Sequence, residues 1–313
     1  MTTVLVTGVA GFIGSNLAER LLRQGHRVIG IDNLAYGVVE QVPDGVDFFE
    51  TDIRDPESYG AYDGVDVVFH LAAKNCIADC QADPVETFDI NVHGTAHVFE
   101  AACRAGVRKV VYAESSALYE GDRSLPSVES STSPESFYAL SKEAGRLLAL
   151  GYQRFTPLAF TGLRYFCVYG PRQDYRRTIP PLMSAFIIEL LQGKRPTIYG
   201  TGEKRRDFVY VEDVNDFHLQ CIEDPRTDGR VFNLGSGRSH SVREIFDLIS
   251  GILGTTVDPI YAGDLPGEAF ETRGDITAAK GLGWGPHTGL EDGLRLSIDY
   301  IRGLVEDDPT VRE

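Results

Sequence analysis

The sequence predicts an α/β protein, a doubly wound parallel sheet joined to a smaller, interleaved α/β domain. Two observations carry this. Short continuous apolar runs alternate with helical patterns through the first half, as in strands buried on both faces. After about Gly170 the texture changes to loop-rich sequence with scattered helices. Thr3–Val6 reads as the first strand and leads through a glycine-rich turn into a helix over 13–24. Residues 27–31, 46–50, 66–71 and 109–113 read as further strands, and right-handed crossovers make the doubly wound order the economical one. Beyond the loop 171–181, a helix over 182–192, a strand over 206–211 and a helix over 213–222 follow. The tail from Val242 reads as two helices around a loop-rich stretch. The expected division is a first domain over 1–170, to which 206–224 returns, and a second over 171–313.

At 313 residues, 42% of them hydrophobic, the chain suffices for one large or two smaller cores. Thirty Lys and Arg against 46 Asp and Glu leave a net charge of −16, which repels phosphate backbones and argues against nucleic-acid binding. No apolar run approaches the ~20 residues of a membrane span. The start MTTVLVTGVAGFIG lacks the marks of a secretory signal, so a cytoplasmic location is expected. Five cysteines without a C-x-x-C pair indicate reduced thiols and neither a disulfide framework nor a zinc site.

The turn after the first strand reads Thr7-Gly8-Val9-Ala10-Gly11-Phe12-Ile13-Gly14, a G-x-x-G-x-x-G spacing. Glycine permits the tight turn and lets the backbone approach a pyrophosphate at the helix N-terminus; the last glycine lets helix and strand pack closely. Asp32 ends the next strand, 18 residues after Gly14. A carboxylate there accepts both ribose hydroxyls of NAD and repels the 2′-phosphate of NADP, and no arginine directly follows it. The pattern is that of a Rossmann dinucleotide site, with NAD as the expected cofactor.

Tyr138 and Lys142 stand at i and i+4 in a helical pattern that starts near Ser133, and so share one helix face. For a phenol to act as a base near neutrality its pKa must fall roughly three units from about 10, about 4 kcal/mol. A unit positive charge at ~4 Å supplies this at an effective dielectric of about 20. Lys142 is placed to be that charge.

With these motifs the chain resembles the extended short-chain dehydrogenase/reductase family, in its nucleotide-sugar epimerase/dehydratase branch. The resemblance runs through TGVAGFIG (7–14), DNL (32–34), DI (52–53), HLAA (70–73), Asn91–Thr95, SSALY (115–119) and YALSK (138–142). It continues through 163–173, RDFVYVEDV (206–214) and FNLGSG (232–237). It implies NAD contacts from Gly8, Gly11, Phe12, Ile13, Gly14, Asp32, Asn33, Asp52, Ile53, Leu71, Ala72, Ala73, Lys74, Asn91 and Phe166, together with the catalytic residues. Those are Tyr138 as base, Lys142 as its partner and Ser115 as the hydroxyl that hydrogen-bonds the reacting oxygen, with Ser116 as the alternative to it and a substrate contact. Arg206 matches the arginine that holds the substrate's diphosphate, and Cys167, Glu268 and Thr272 fall at further substrate positions.

The implied activity is 4-epimerisation of a nucleotide sugar, UDP-glucose/UDP-galactose or the N-acetyl equivalents, through a transient 4-keto sugar. The alternatives are a 4,6-dehydratase or a decarboxylase, whose acids fall at Ser116-Ala117 where this chain has none, and a non-catalytic NAD-binding regulator. Three departures bear on the substrate: Cys167 replaces an asparagine, Leu265 replaces the arginine of an R-P-G-D motif, and Glu120 precedes Gly121. Relatives restricted to galactose carry a tyrosine where this chain has Thr272, so a wider pocket is expected. Glu114 and Glu120 read as strand-end and loop residues, and Trp284 as structural. His70 and His93 read as strand-end and helix-start residues, with no metal site expected. The pattern at 85–102 with that after Tyr138 is expected to build a homodimer.

Overall fold

The computed structural model describes residues 1–173, 180–264 and 269–307. Its first part runs β1 (Thr3–Thr7), α1 (Phe12–Arg23), β2 (Arg27–Asp32), β3 (Asp47–Glu50), β4 (Val67–His70), α2 (Ile77–Ala82) and α3 (Pro84–Phe88). A π-helical turn (Asp89–Gly94) leads into α4 (Thr95–Arg104), followed by β5 (Lys109–Ser115), α5 (Phe137–Phe155), β6 (Ala159–Tyr165) and β7 (Cys167–Tyr169). Then come α6 (Leu182–Leu191), β8 (Thr197–Tyr199), β9 (Arg205–Arg206), β10 (Phe208–Tyr210), α7 (Val211–Glu223) and β11 (Arg230–Leu234). The chain closes with β12 (His240–Ser241), α8 (Val242–Leu253), β13 (Ile260–Ala262), α9 (Thr277–Lys280) and α10 (Leu290–Asp307).

Among the described residues, seven strands form one parallel sheet in the order β11-β6-β5-β4-β1-β2-β3. Alternation along β1 feeds two cores. Val4 and Val6 pack with Leu17 and Leu21 of α1 and Phe217 of α7, while Leu5 packs with Val98 and Phe99 of α4 on the other face. Both faces are thereby covered, as a parallel sheet requires. Strand order reverses between β1 and β4, which opens a crevice at their carboxyl ends. A third core joins Phe186 and Ile187 of α6, Ile245 and Phe246 of α8, and Ile298 and Ile301 of α10.

Three expectations need correction. The return to the main sheet runs beyond 224, because β11 pairs with β6, and Ile276, Ala279 and Trp284 pack into the first core. The strand expected over 206–211 is broken at Asp207. That carboxylate is buried and accepts hydrogen bonds from the backbone N–H groups of Ser236, Gly237 and Gly274. Finally, the catalytic-motif helix begins at Phe137 rather than near Ser133. Ser136 caps it, its Oγ accepting from Ala139 N at 3.1 Å.

Candidate active site

A cleft of about 1280 Å³ runs from the switch point into the third core. At its inner end Gly8 has φ +74°, and a Cβ there would stand 2.8 Å from the Ala72 nitrogen on the neighbouring strand's loop. A Cβ on Gly14 would stand 2.1 Å from the Gly8 carbonyl oxygen. Only glycine permits this cradle, which with Gly11, Phe12 and Ile13 lines the cleft at the start of α1.

Asp32 faces the same space. Its carboxylate accepts from Ala10 N at 3.0 Å and Leu34 N at 2.9 Å, yet burial outweighs these bonds and raises its pKa. Asn33 donates to Asp52 at 2.7 Å, and Arg54 grips both oxygens of Asp52, holding that carboxyl at about 2. Ile53, Leu71, Ala72 and Ala73 complete the wall. Lys74 lines it too, with its buried ammonium paired to Glu86, a hydrogen bond that raises its pKa.

Asn91 stands directly behind the cleft wall. It is buried behind Lys74, exchanging hydrogen bonds with the Lys74 backbone and donating to Ser141 Oγ at 2.9 Å. Its amide ties the cleft wall to α5. A glycine cradle beside a half-buried strand-end carboxylate fits a dinucleotide's pyrophosphate and ribose, which are the two groups that such donors and acceptors recognise.

Ser115, Ser116, Tyr138 and Lys142 all line the middle of the cleft. Strand β5 ends at Ser115, whose Oγ accepts from Ala117 N at 3.2 Å. Lys142 is buried, and its Nζ donates to the Ala113 carbonyl at 3.0 Å. Burial pulls the ammonium down to about 8, against the opposing field of Glu114. Helix α5 can lie this close to β5 because position 145 is glycine; a Cβ there would stand 2.2 Å from the Tyr112 hydroxyl.

The two flanking acids have structural partners. Glu114 is buried and accepts from Arg164 Nε at 2.7 Å; Arg164 also donates to the Tyr119 hydroxyl at 2.8 Å. Glu120 accepts from Ser136 N at 2.8 Å and Ser136 Oγ at 2.9 Å, so its charge sits at the N-terminus of α5. The sequence reading missed this clamp, which fixes the helix that carries Tyr138.

At the outer end Phe166, Cys167, Arg206 and Thr272 line the cleft. Burial pushes the Cys167 thiol up to about 11, so it is a neutral wall group. Arg206 donates to the carbonyls of Arg205 at 2.9 Å and Ala269 at 3.0 Å. Thr272 Oγ1 accepts from Asp207 N at 3.4 Å. Lys204, which the sequence reading passed over, adds a second cation to this end and pairs with Asp264. Glu268, with Leu265, lies outside the described residues.

A profile of the NAD dependent epimerase/dehydratase family matches residues 4–235. The UDP-glucose 4-epimerase of Mycolicibacterium smegmatis is 36% identical over 308 residues, covering 95% of this chain and 98% of its own. The structure of the Thermotoga maritima UDP-glucose 4-epimerase with UDP-glucose superposes with a TM-score of 0.93 at 34% identity, over 97% of this chain and 100% of that one. The UDP-N-acetylglucosamine 4-epimerase of Methanobrevibacter ruminantium, in complex with UDP-N-acetylmuramic acid, gives 0.93 at 29% identity, over 97% and 99%. A glycine cradle, a strand-end aspartate, a Ser–Tyr–Lys set and a match over nearly the full length agree, and the chain belongs to the NAD-dependent epimerase/dehydratase family.

Proposed function

We propose that this protein is an NAD-dependent 4-epimerase of UDP-hexoses, with Ser115, Tyr138 and Lys142 as its catalytic residues. The observation that carries the reading is that these three line one cleft between the glycine cradle and Arg206, with serine and alanine at 116 and 117. NAD, when bound, supplies a reversible two-electron acceptor for the carbon that bears the reacting hydroxyl. Tyr138 takes the proton of the sugar's 4-hydroxyl and returns it after the 4-keto sugar has turned over. The Lys142 cation lowers the cost of the phenolate, and Ser115 donates to the oxygen as it becomes a ketone. Arg206 and Lys204 supply the charge that a diphosphate requires in a chain of net charge −16.

Proton NMR of UDP-glucose incubated with the protein in D2O tests the activity. UDP-galactose with protium retained at carbon 4 is expected. An accumulating 4-keto sugar would identify a dehydratase instead.

The reading includes a homodimer built on α4 and α5. Leu140, Leu147 and Leu150 are exposed on α5, 40%, 57% and 37% respectively, and form an apolar stripe suited to a helix pairing with a second copy. The reading also places the enzyme in the cytoplasm, where thiols stay reduced; among the described residues all five cysteines are thiols and no helix is long and apolar enough to cross a membrane.

A further inference from the structure

The π-helical turn Asp89–Gly94 continues directly into α4, so that Asp89, His93 and His97 rise in steps of four residues. Nε2 of His93 lies 3.0 Å from Nε2 of His97. The other ring nitrogens are both engaged. His93 Nδ1 is 3.1 Å from Asp89 Oδ1, and His97 Nδ1 is 3.0 Å from the Tyr59 hydroxyl. An ionised carboxylate only accepts, so His93 carries its proton on Nδ1 and presents a lone pair at Nε2. Without an ion, His97 Nε2–H donates to that lone pair; an ion that takes the place of this proton shifts it to His97 Nδ1, where the Tyr59 hydroxyl accepts it, and both lone pairs then face the same point. Metal-binding imidazoles are held in this way, the nitrogen remote from the ion donating to an oxygen.

We propose that His93 and His97 form a chelating site for a divalent transition-metal ion. Two metal–nitrogen bonds of ~2.1 Å span ~3.0 Å at a right angle but ~3.4 Å at the tetrahedral angle. The observed 3.0 Å therefore suits the tetragonal geometry of Ni(II) or Cu(II), with water in the remaining positions. In the single chain the His93 side chain is 58% exposed, so an ion reaches it from solvent before two copies pair through α4 and α5.

The site also has a route to the cofactor end of the cleft. Asp89 pairs with Arg54, and Arg54 grips Asp52 on the cleft wall. Gly94, the residue after His93, lies against Ile53; a Cβ there would stand 2.7 Å from Ile53 Cδ1. An ion that fixes the His93 ring also fixes Asp89 and the loop it holds. A second grouping, Asp213, Asp216 and His287, differs because the Asp213 carboxylate already holds the N–H and Oγ1 of Thr288. It serves as the control.

Tag-free full-length protein titrated with NiCl2 by calorimetry tests the proposal, with circular dichroism confirming the fold of each variant. One ion per chain is expected. Loss of an outer partner costs metal affinity ~10–100-fold, so His93→Asn and His97→Asn, which lose a ligand, are each expected to weaken binding at least ~10-fold. His287→Asn is expected to bind as wild type. Cu(II) electron paramagnetic resonance is expected to show two imidazole nitrogens in wild type and one in either variant. NAD titrated with and without Ni(II) reads the route to the cleft, with tighter binding expected in wild type only. Nickel binding that is unchanged in both single variants, or absent from wild type, overturns the site; an NAD affinity indifferent to nickel overturns the route.

Discussion

Lys142 Nζ donates to the carbonyl oxygen of Ala113 at 3.0 Å, which joins α5 to β5 two residues before Ser115. The bond sets the cation at the level of the serine while burial pulls its proton affinity down to about 8. Lys142→Met fills similar space without the charge. It is expected to lower kcat at least ~100-fold, the lower scale for acid–base assistance, while NAD still binds. Steady-state kinetics with UDP-glucose and an NAD titration check this.

Asp32 holds one backbone N–H group on each carboxylate oxygen and faces the cleft. Asp32→Asn keeps the shape, gives up one of the two acceptors and removes the repulsion of a 2′-phosphate. Hydrogen bonds to charged groups contribute ~1.5–3 kcal/mol, so the preference for NAD over NADP is expected to narrow at least ~10-fold. Fluorescence titration with both dinucleotides measures it.

Acid stability should depend on two fully buried histidines. His70 bridges Thr7 and Thr95, His218 bridges Tyr165 and Asn215, and burial lowers both to about 3. Between that value and the ordinary 6.5 the unfolded chain binds more protons than the folded one. Stability therefore falls as pH falls through this window, by about 1.4 kcal/mol per unit for each ring. His218→Gln is expected to be less stable at pH ~7 but to lose about 2 kcal/mol less than wild type between pH ~6.5 and ~5. Urea unfolding at the two pH values decides this.

Thr272 lines the cleft and presents a small side chain to it. We expect turnover of UDP-N-acetylglucosamine as well as UDP-glucose, since an open wall costs the smaller sugar only modest contact. Thr272→Tyr is expected to abolish the first activity and spare the second. Comparison of kcat/KM for the two sugars in both proteins measures the gate.

What could be read from the sequence was local. Gly8, Gly14 and Asp32 are bound to one strand–turn–helix–strand unit, and Tyr138 and Lys142 to one helix, so spacing alone placed them. Asn91 shows the limit: its position in a motif said nothing of the hydrogen bonds by which it ties Lys74 to Ser141. Asp207 breaks a strand because it meets Ser236 and Gly274, partners distant in sequence. Glu120 caps a helix 16 residues away, and Lys204 reaches the cleft only through the fold of the third core. The four-residue spacing of His93 and His97 was visible in the sequence, but Tyr59, which orients the second ring, was not.

The central claim is that the Tyr138 hydroxyl moves the proton of the sugar's 4-hydroxyl. Tyr138→Phe removes that oxygen alone from a ring that is already buried at the cleft wall. The most direct measurement is the kcat for UDP-glucose epimerisation by this variant, with NAD affinity determined on the same preparation. NAD binding like that of wild type with kcat reduced at least ~100-fold is expected. Turnover near the wild-type rate by an NAD-loaded variant would contradict the assignment.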